Sequence, residues 1–209
     1  MRERCTLKIN EIFHSFQGEG ARVGKAAIFL RLAGCSLHCP YCDTKEAWNS
    51  GTEMLPTEIG RVIEKHLLSF PGAQVVFTGG EPLEQDLSVM VDLLKSRGCF
   101  LAIETHGGLF QPLPIDWWTV APKDVTDYSI HPQLIPHINE IKLIVNKNLT
   151  LGVLAKLRQT TPAVPFFLQP DETNENRYED TYHLFKQCQE AGLVDVRCGI
   201  QLHRIYNVK

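Results

Sequence analysis

Short apolar runs alternate with amphipathic stretches along most of the chain. Compact apolar runs predict buried strands at residues 26–34, 75–78, 100–104, 117–120, 140–145, 164–168 and, least distinctly, 196–202. Apolar residues at helical spacing predict helices at 57–70, 87–95, 149–158 and 175–191. Because the strands are apolar on both faces and helices separate most of them, the pattern predicts a parallel α/β sheet.

Two connections depart from this alternation. Residues 106–116 and 122–139 are rich in Gly, Pro and His and carry no helical stripe. A closed eight-stranded α/β barrel has a helix after each strand and usually about 250 residues. The present 209 residues supply fewer strands and still fewer helices. The sequence therefore predicts a partial, open barrel of the TIM type, with mainly parallel strands, as a single domain over residues 1–209.

Polar and glycine residues gather where the predicted strands end. Open parallel sheets bind ligands at the carboxyl ends of their strands. The residues at these ends are Cys35, Thr78, Gly79, Gly80, Glu104, Thr105, Ala121, Pro122, Lys123, Gln169 and Pro170. We expect them to form one site.

Composition limits the class of protein. The formal net charge of -3 and the pI near 6.2 give no electrostatic reason to expect nucleic acid or an anionic membrane as a partner. No apolar run approaches the ~20 residues that span a bilayer, and the first residues lack the apolar core of a secretory signal. Cys5, Cys99, Cys188 and Cys198 are scattered singly and are predicted to be ordinary core thiols. These features together predict a reduced cytoplasmic chain.

The other three cysteines, Cys35, Cys39 and Cys42, form a C-x3-C-x2-C motif directly after the first predicted strand. A structural zinc site closes with four protein ligands. An iron–sulfur cluster normally takes four thiolates, so three leave one iron open to a small molecule. His38 could complete a zinc site, but it lies inside the tight loop. We favour a 4Fe–4S cluster and keep a zinc-stabilised binding module as an alternative.

The cysteine motif and Thr-Gly-Gly-Glu-Pro at 78–82 together resemble the radical S-adenosylmethionine (SAM) superfamily. The resemblance implies that the open iron chelates the methionine moiety of SAM, and that a 5′-deoxyadenosyl radical then abstracts a substrate hydrogen. It also implies that Glu81 lies near the amino group of SAM. The implied SAM contacts are Tyr41, Cys42, Asp43, Gly79, Gly80, Glu81, Ala121, Pro122, Lys123, Gln169, Pro170, Asp171 and Glu172.

The segment at 11–20, Arg31 and the Cys-Asp-Thr at 42–44 are similar to 7-carboxy-7-deazaguanine synthases, and the similarity extends to Arg204. It implies an abbreviated barrel and a carbon–nitrogen lyase. This enzyme contracts 6-carboxy-5,6,7,8-tetrahydropterin to 7-carboxy-7-deazaguanine with loss of ammonia, in 7-deazapurine synthesis that includes queuosine in tRNA. The similarity further implies Mg2+ at Thr44, a homodimer and an external electron donor such as flavodoxin or ferredoxin. The implied substrate contacts are Phe16, Gln17, Gly18, Arg31 and Thr78, with His203 as a further candidate.

Several residues also have simpler interpretations. Arg31 has the planar fork that grips a carboxylate, but it could instead form a structural ion pair. Thr44 could be a turn residue. Ala121, His106 and Asp171-Glu172 depart from the usual family residues. The competing enzyme is a glycyl-radical-enzyme activase, which shares the cysteine spacing but would need neither Arg31 nor residues 16–20.

Overall fold

The computed structural model describes residues 6–209, and within them the chain forms nine strands and five α-helices. The strands are β1 (Leu7–Phe16), β2 (Ala26–Leu32), β3 (Thr52–Met54), β4 (Gln74–Gly79), β5 (Leu101–Thr105), β6 (Trp117–Val120), β7 (Glu140–Val145), β8 (Phe166–Pro170) and β9 (Val196–Cys198). The helices are α1 (Pro56–Ser69), α2 (Ser88–Ser96), α3 (Leu151–Thr160), α4 (Arg177–Glu190) and α5 (Leu202–Ile205).

All nine strands belong to one open sheet, in the order β3-β1-β2-β4-β5-β6-β7-β8-β9. Strands β2 and β4 to β9 pair in parallel, whereas β1 runs antiparallel to both β2 and β3. Strands β3 and β9 form the two edges, so the sheet does not close on itself. The predicted open, mainly parallel architecture with fewer helices than strands is confirmed.

The two faces of the sheet are packed differently. The larger apolar cluster includes Ile59 and Ile63 of α1 and Met90 and Leu94 of α2, all fully buried. The smaller cluster, on strands β2, β4 and β5, consists of Ala27, Phe29, Val76 and Ala102. Two residues further along the same faces of these strands come the polar side chains of Arg31, Thr78 and Glu104.

The structure corrects the prediction at both ends of the sheet. Strand β1 was not predicted, because a register shift between Ile9 and Glu11 breaks the apolar alternation that begins at Leu7. Strand β3 is a short, polar edge strand and was also missed. The predicted strand at 164–168 begins instead at Phe166, one residue after Pro165. The strand predicted at 196–202 ends at Cys198, and α5 begins at Leu202.

The two unusual connections contain no α-helix, as predicted, and the second holds only 3-10 turns at Asp124–Thr126 and Pro132–His137. In residues 6–209, none of the helices is long and apolar enough to cross a membrane. Cys188 is buried and Cys99 half-buried, but Cys198 is exposed. The prediction of a core thiol is wrong at Cys198, because it lies on edge strand β9. Cys5 lies outside the described residues.

Candidate functional site

One cavity of about 280 Å³ lies at the carboxyl ends of the parallel strands. It is lined by the three motif cysteines and by every other residue predicted above for SAM, substrate or Mg2+, with the exception of Pro122. Pro122 is buried beside the lining residues Ala121 and Lys123. The parallel order of the sheet thus brings together residues that lie more than 180 positions apart in the sequence.

The cysteine loop forms one wall of the cavity. The Cys42 amide donates to the Cys39 carbonyl at 3.1 Å, and both the amide and the hydroxyl of Ser36 donate to Glu84. Burial raises the pKa of the Cys35 and Cys39 thiols. His38 has a φ of 46° and packs edge-on against Trp48, with ring centroids 4.8 Å apart. His38 is not among the residues that line the cavity.

The donor set fits an iron–sulfur cluster. Within residues 6–209, no three His, Cys, Asp or Glu side chains converge as one metal ion would require. In a cluster each thiolate binds a different iron, so the thiolates need only face the same space. Cys35, Cys39 and Cys42 meet that condition, because all three line one cavity.

Gly79 and Gly80 join the end of β4 to the base of the cysteine loop. The Gly80 amide donates to the Leu32 carbonyl at 2.9 Å, and the Glu81 amide donates to the Gly34 carbonyl at 2.7 Å. A Cβ atom would lie 2.2 Å from the Leu32 carbonyl oxygen at Gly79 and 1.8 Å from the Gly34 carbonyl oxygen at Gly80. Gly79 also has a φ of 119°. A side chain at either glycine would therefore push the loop after β4 away from the segment at Leu32 and Gly34 that leads into the cysteine loop.

Glu81 connects the loop after β4 to the loop after β5 by hydrogen bonds. Its carboxylate is 1% exposed and accepts hydrogen bonds from the Leu83 amide (3.1 Å), the Thr105 hydroxyl (2.7 Å) and the His106 amide (2.8 Å). Burial raises the pKa of Glu81 despite these donors. Its acceptor positions are thus largely occupied by the chain itself.

A polar network forms the floor of the cavity. Lys142 of β7 donates to Glu19 at 2.7 Å and to Glu104 at 3.0 Å. Glu104 also accepts from the Thr78 hydroxyl at 2.9 Å and from the side-chain amide of Gln17 at 3.1 Å. Burial alone would raise the pKa of Glu104, but the Lys142 ammonium and these donors lower it. Burial alone would lower the pKa of Lys142, but Glu104 and Glu19 raise it.

The sequence pattern did not predict Glu19, Lys142 and Gln201 as site residues. Gln201 joins the network by donating to Glu19 at 2.9 Å. The feature of the sequence that could have indicated this network is Lys142, a charged residue in the middle of the apolar strand 140–145. A charge in a buried strand needs a partner, and so it indicates a polar network.

Arg31 forms a second polar corner. Its Nε donates to Glu11 at 3.0 Å and its Nη1 to the Thr44 hydroxyl at 3.1 Å. The C-terminal Lys209 donates to the other Glu11 oxygen at 2.6 Å. Burial alone would raise the pKa of Glu11, but Lys209 and Arg31 lower it. The Arg31 guanidinium and the Lys209 ammonium thus meet one carboxylate here, next to the ring of Phe13.

The remaining predicted residues form the opposite rim. Asp171 accepts from the amide and hydroxyl of Thr173 at 2.9 and 2.7 Å, and Glu172 lies 3.8 Å from Arg177. Gln169 donates to the Ile200 carbonyl at 3.0 Å, while its buried Oε1 has no partner in the structure. His203 packs so closely on Gly18 that a Cβ there would lie 2.0 Å from its Nδ1. Helix α5 therefore completes the cavity wall beside Gln17.

Comparison with known proteins agrees with this arrangement. The family model of the radical SAM superfamily matches residues 30–200. The 7-carboxy-7-deazaguanine synthase of Synechocystis sp. is 36% identical over 177 residues, covering 83% of this chain and 82% of the relative. That of Aquifex aeolicus is 31% identical over 215 residues, covering 97% and 94%.

Solved structures agree on the fold. The crystal structure of QueE from Escherichia coli superposes with a TM-score of 0.77 and 29% identity, and covers 95% of each chain. Streptococcus suis SuiB, at 12% identity and a TM-score of 0.58, shares the fold alone. The chain therefore belongs to the radical SAM superfamily and, within it, to the 7-carboxy-7-deazaguanine synthase family.

Proposed function

We propose that this chain is a 7-carboxy-7-deazaguanine synthase that contracts 6-carboxy-5,6,7,8-tetrahydropterin with loss of ammonia. The observation that carries the proposal is one cavity in which the three-cysteine loop faces Gln17, Arg31 and the Glu104–Lys142 network. A glycyl-radical activase would have no use for Arg31 or residues 16–20 at this position, and the relatives named above are synthases.

The cysteine loop and the glycine pair would hold the cluster and SAM, which supply the radical chemistry when bound. The chain's own residues position the substrate. The guanidinium of Arg31 and the ammonium of Lys209 would bind the pterin carboxylate by charge-assisted hydrogen bonds. Gln17, Thr78 and the Glu104–Lys142 pair offer fixed donors and acceptors to the ring edge. Gln17 and Thr78 are themselves buried, so little bulk solvent competes for these two side chains.

We further propose one domain over residues 1–209, a homodimer, an external one-electron donor such as flavodoxin or ferredoxin, and a role in queuosine synthesis for tRNA. The continuous nine-stranded sheet supports the first of these. The two edge strands of the open sheet offer a physical motive for the second.

The function is tested by anaerobic turnover. Reconstituted protein with SAM, reductant and the carboxytetrahydropterin should give 7-carboxy-7-deazaguanine, identified by mass, with release of ammonia. If iron and sulfide are verified and SAM is cleaved but no such product forms, the substrate assignment is wrong.

Arg31→Lys should lower kcat/KM for the pterin by about tenfold to a hundredfold. Lysine keeps the charge but cannot reproduce the bidentate geometry, and a charge-assisted hydrogen bond contributes about 1.5–3 kcal/mol. SAM cleavage without substrate should persist. Arg97→Lys is the matched control, because Arg97 pairs with Glu64 at 3.3 Å outside the cavity lining. Wild-type kinetics in Arg31→Lys would leave Arg31 with only its structural ion pair to Glu11.

Thr44→Val should blunt the activation of the enzyme by added Mg2+. The Thr44 hydroxyl donates to Asp43 at 3.0 Å and accepts from Arg31, so one lone pair of its oxygen remains for a cation. Mg2+ typically takes few protein ligands beside waters and substrate oxygens. The measurement is a Mg2+ titration of turnover, with Thr160→Val at the end of α3 as control. An unchanged titration in Thr44→Val would assign Thr44 to the turn alone.

A further inference from the structure

Asp124 contacts the cysteine loop from the connection that follows β6. The hydroxyl of Tyr41 donates to Asp124 Oδ1. Tyr41 lies between Cys39 and Cys42 in the chain, so its backbone cannot move without moving at least one of these two thiols. Both side chains are partly buried, and Tyr41 lines the cavity.

The Asp124 carboxylate is itself held from several directions. Its Oδ1 also accepts from the Val125 amide at 2.9 Å. Its Oδ2 accepts from the side-chain amides of Asn146 and Asn148 at 3.1 and 2.6 Å. Four donors from three segments therefore fix one carboxylate, and a fixed acceptor limits where the tyrosine hydroxyl can lie.

The orientation of Asn146 is also determined. Its Oδ1 accepts from the Asn148 and Leu149 amides at 2.9 and 3.2 Å, so its NH2 group must face Asp124. Within the connection, the Lys123 carbonyl accepts from the Tyr128 amide and the Thr126 hydroxyl, both at 2.9 Å. The acceptor is thus preorganised independently of Tyr41.

The other end of the cysteine loop has a separate anchor. Glu84 accepts from the amide and the hydroxyl of Ser36 at 2.8 and 2.7 Å, next to Cys35. One carboxylate therefore holds the loop beside the first thiol, and the other holds it between the second and third. Neither carboxylate is a cysteine-loop residue, and sequence analysis assigned no role to either.

We propose that Asp124 is a positioning residue that, through the hydroxyl of Tyr41, fixes the second and third cysteines for cluster binding. The Asn146 and Asn148 amides hold the carboxylate in place.

The test compares Tyr41→Phe, Asp124→Asn and the double variant, all reconstituted with iron and sulfide. Each single variant should lose its cluster to a chelator about tenfold to a hundredfold faster than wild type, the loss expected for one charge-assisted hydrogen bond. The reduced cluster should also show an altered electron paramagnetic resonance spectrum with SAM bound. The double variant should be no faster than the faster single variant, because both changes remove the same contact.

Tyr41→Phe keeps the ring and removes one oxygen, so it keeps the test valid if Asp124→Asn fails to fold. Asp127→Asn is the matched control, because Asp127 lies three residues away and, among residues 6–209, its carboxylate forms an ion pair only with exposed Lys156, at 3.3 Å. It should release its cluster at the wild-type rate, and apo Tyr41→Phe should keep the far-UV circular dichroism spectrum of the wild type. Wild-type cluster release and spectrum in Tyr41→Phe, or independent effects that multiply in the double variant, would overturn the proposal.

These readouts require the cluster but not the pterin. A negative result would therefore leave the proposed synthase activity standing. Conversely, failure to form 7-carboxy-7-deazaguanine would leave the positioning role of Asp124 standing.

Discussion

Replacing Cys35, Cys39 or Cys42 by Ala should remove the cluster and reduce both SAM cleavage and product formation below detection. Each thiolate binds one iron, and no other cysteine among residues 6–209 lines the cavity to replace it. The chain should still fold, because the loop lies at the end of the sheet and adds little to the apolar core. Iron and sulfide content, visible absorbance and far-UV circular dichroism measure the two outcomes separately.

The remaining cysteines provide the controls. Cys99→Ser, Cys198→Ser and Cys188→Ala should keep full iron content, because none of the three lines the cavity. Cys99 is half-buried, Cys198 is exposed, and Cys188 lies on α4 and is buried in the apolar core. Cys5→Ser should do the same. A variant of any of these four that lost its cluster would contradict the open-iron arrangement. A wild-type protein that bound zinc without iron would restore the zinc-module alternative.

The parallel core of the fold could be predicted because each of its strands is a short, continuous apolar run. Strands β6 and β7 were predicted at their observed bounds, Trp117–Val120 and Glu140–Val145. Strand β1 could not be predicted in this way. It pairs antiparallel on both sides, and its register shift moves apolar residues from one face to the other at Glu11. The pattern of apolar residues within one strand does not show with which neighbouring strand it pairs or where its pairing register shifts.

The candidate site could likewise be predicted in part. Residues at strand ends could be predicted, because the parallel order alone brings Cys35, Thr78 and Gln169 to one edge. Contacts that depend on side-chain direction could not. Nothing in the sequence shows that Glu84 and Asp124 hold the cysteine loop, or that Lys209 reaches Glu11 across 198 positions. Those contacts join segments that are far apart in the sequence, so they form only when the whole chain has folded.

Lys142→Met should destabilise the protein strongly at neutral pH. The variant keeps an unbranched side chain, one atom shorter, but leaves the carboxylates of Glu104 and Glu19 without their cation on the floor of the cavity. Removing one partner of a buried pair costs about 3–5 kcal/mol, which corresponds to a fall in Tm on the order of 10 °C for a chain of this size. Thermal unfolding of the apo-protein measures this effect. Lys156→Met is the control, since its exposed pair with Asp127 contributes about 0–1 kcal/mol.

The pH dependence should show that the lost pairs of Lys142 with the carboxylates of Glu104 and Glu19 are the cause. In the wild type the pKa of Glu104 is lowered, so its stabilising contribution is present above the unfolded value of about 4.3 and is lost as the pH falls below it. Without Lys142, burial should raise the pKa of Glu104, and the variant should recover stability as the carboxyl becomes protonated. The deficit of Lys142→Met should therefore shrink between about pH 7 and pH 4. Lys142→Met combined with Glu104→Gln should regain at pH 7 only the part of the loss that comes from Glu104, because Glu19 still lacks the Lys142 ammonium that lies 2.7 Å from it in the wild type. A deficit that is constant across this pH range would show that Lys142 acts through packing and not through its charge.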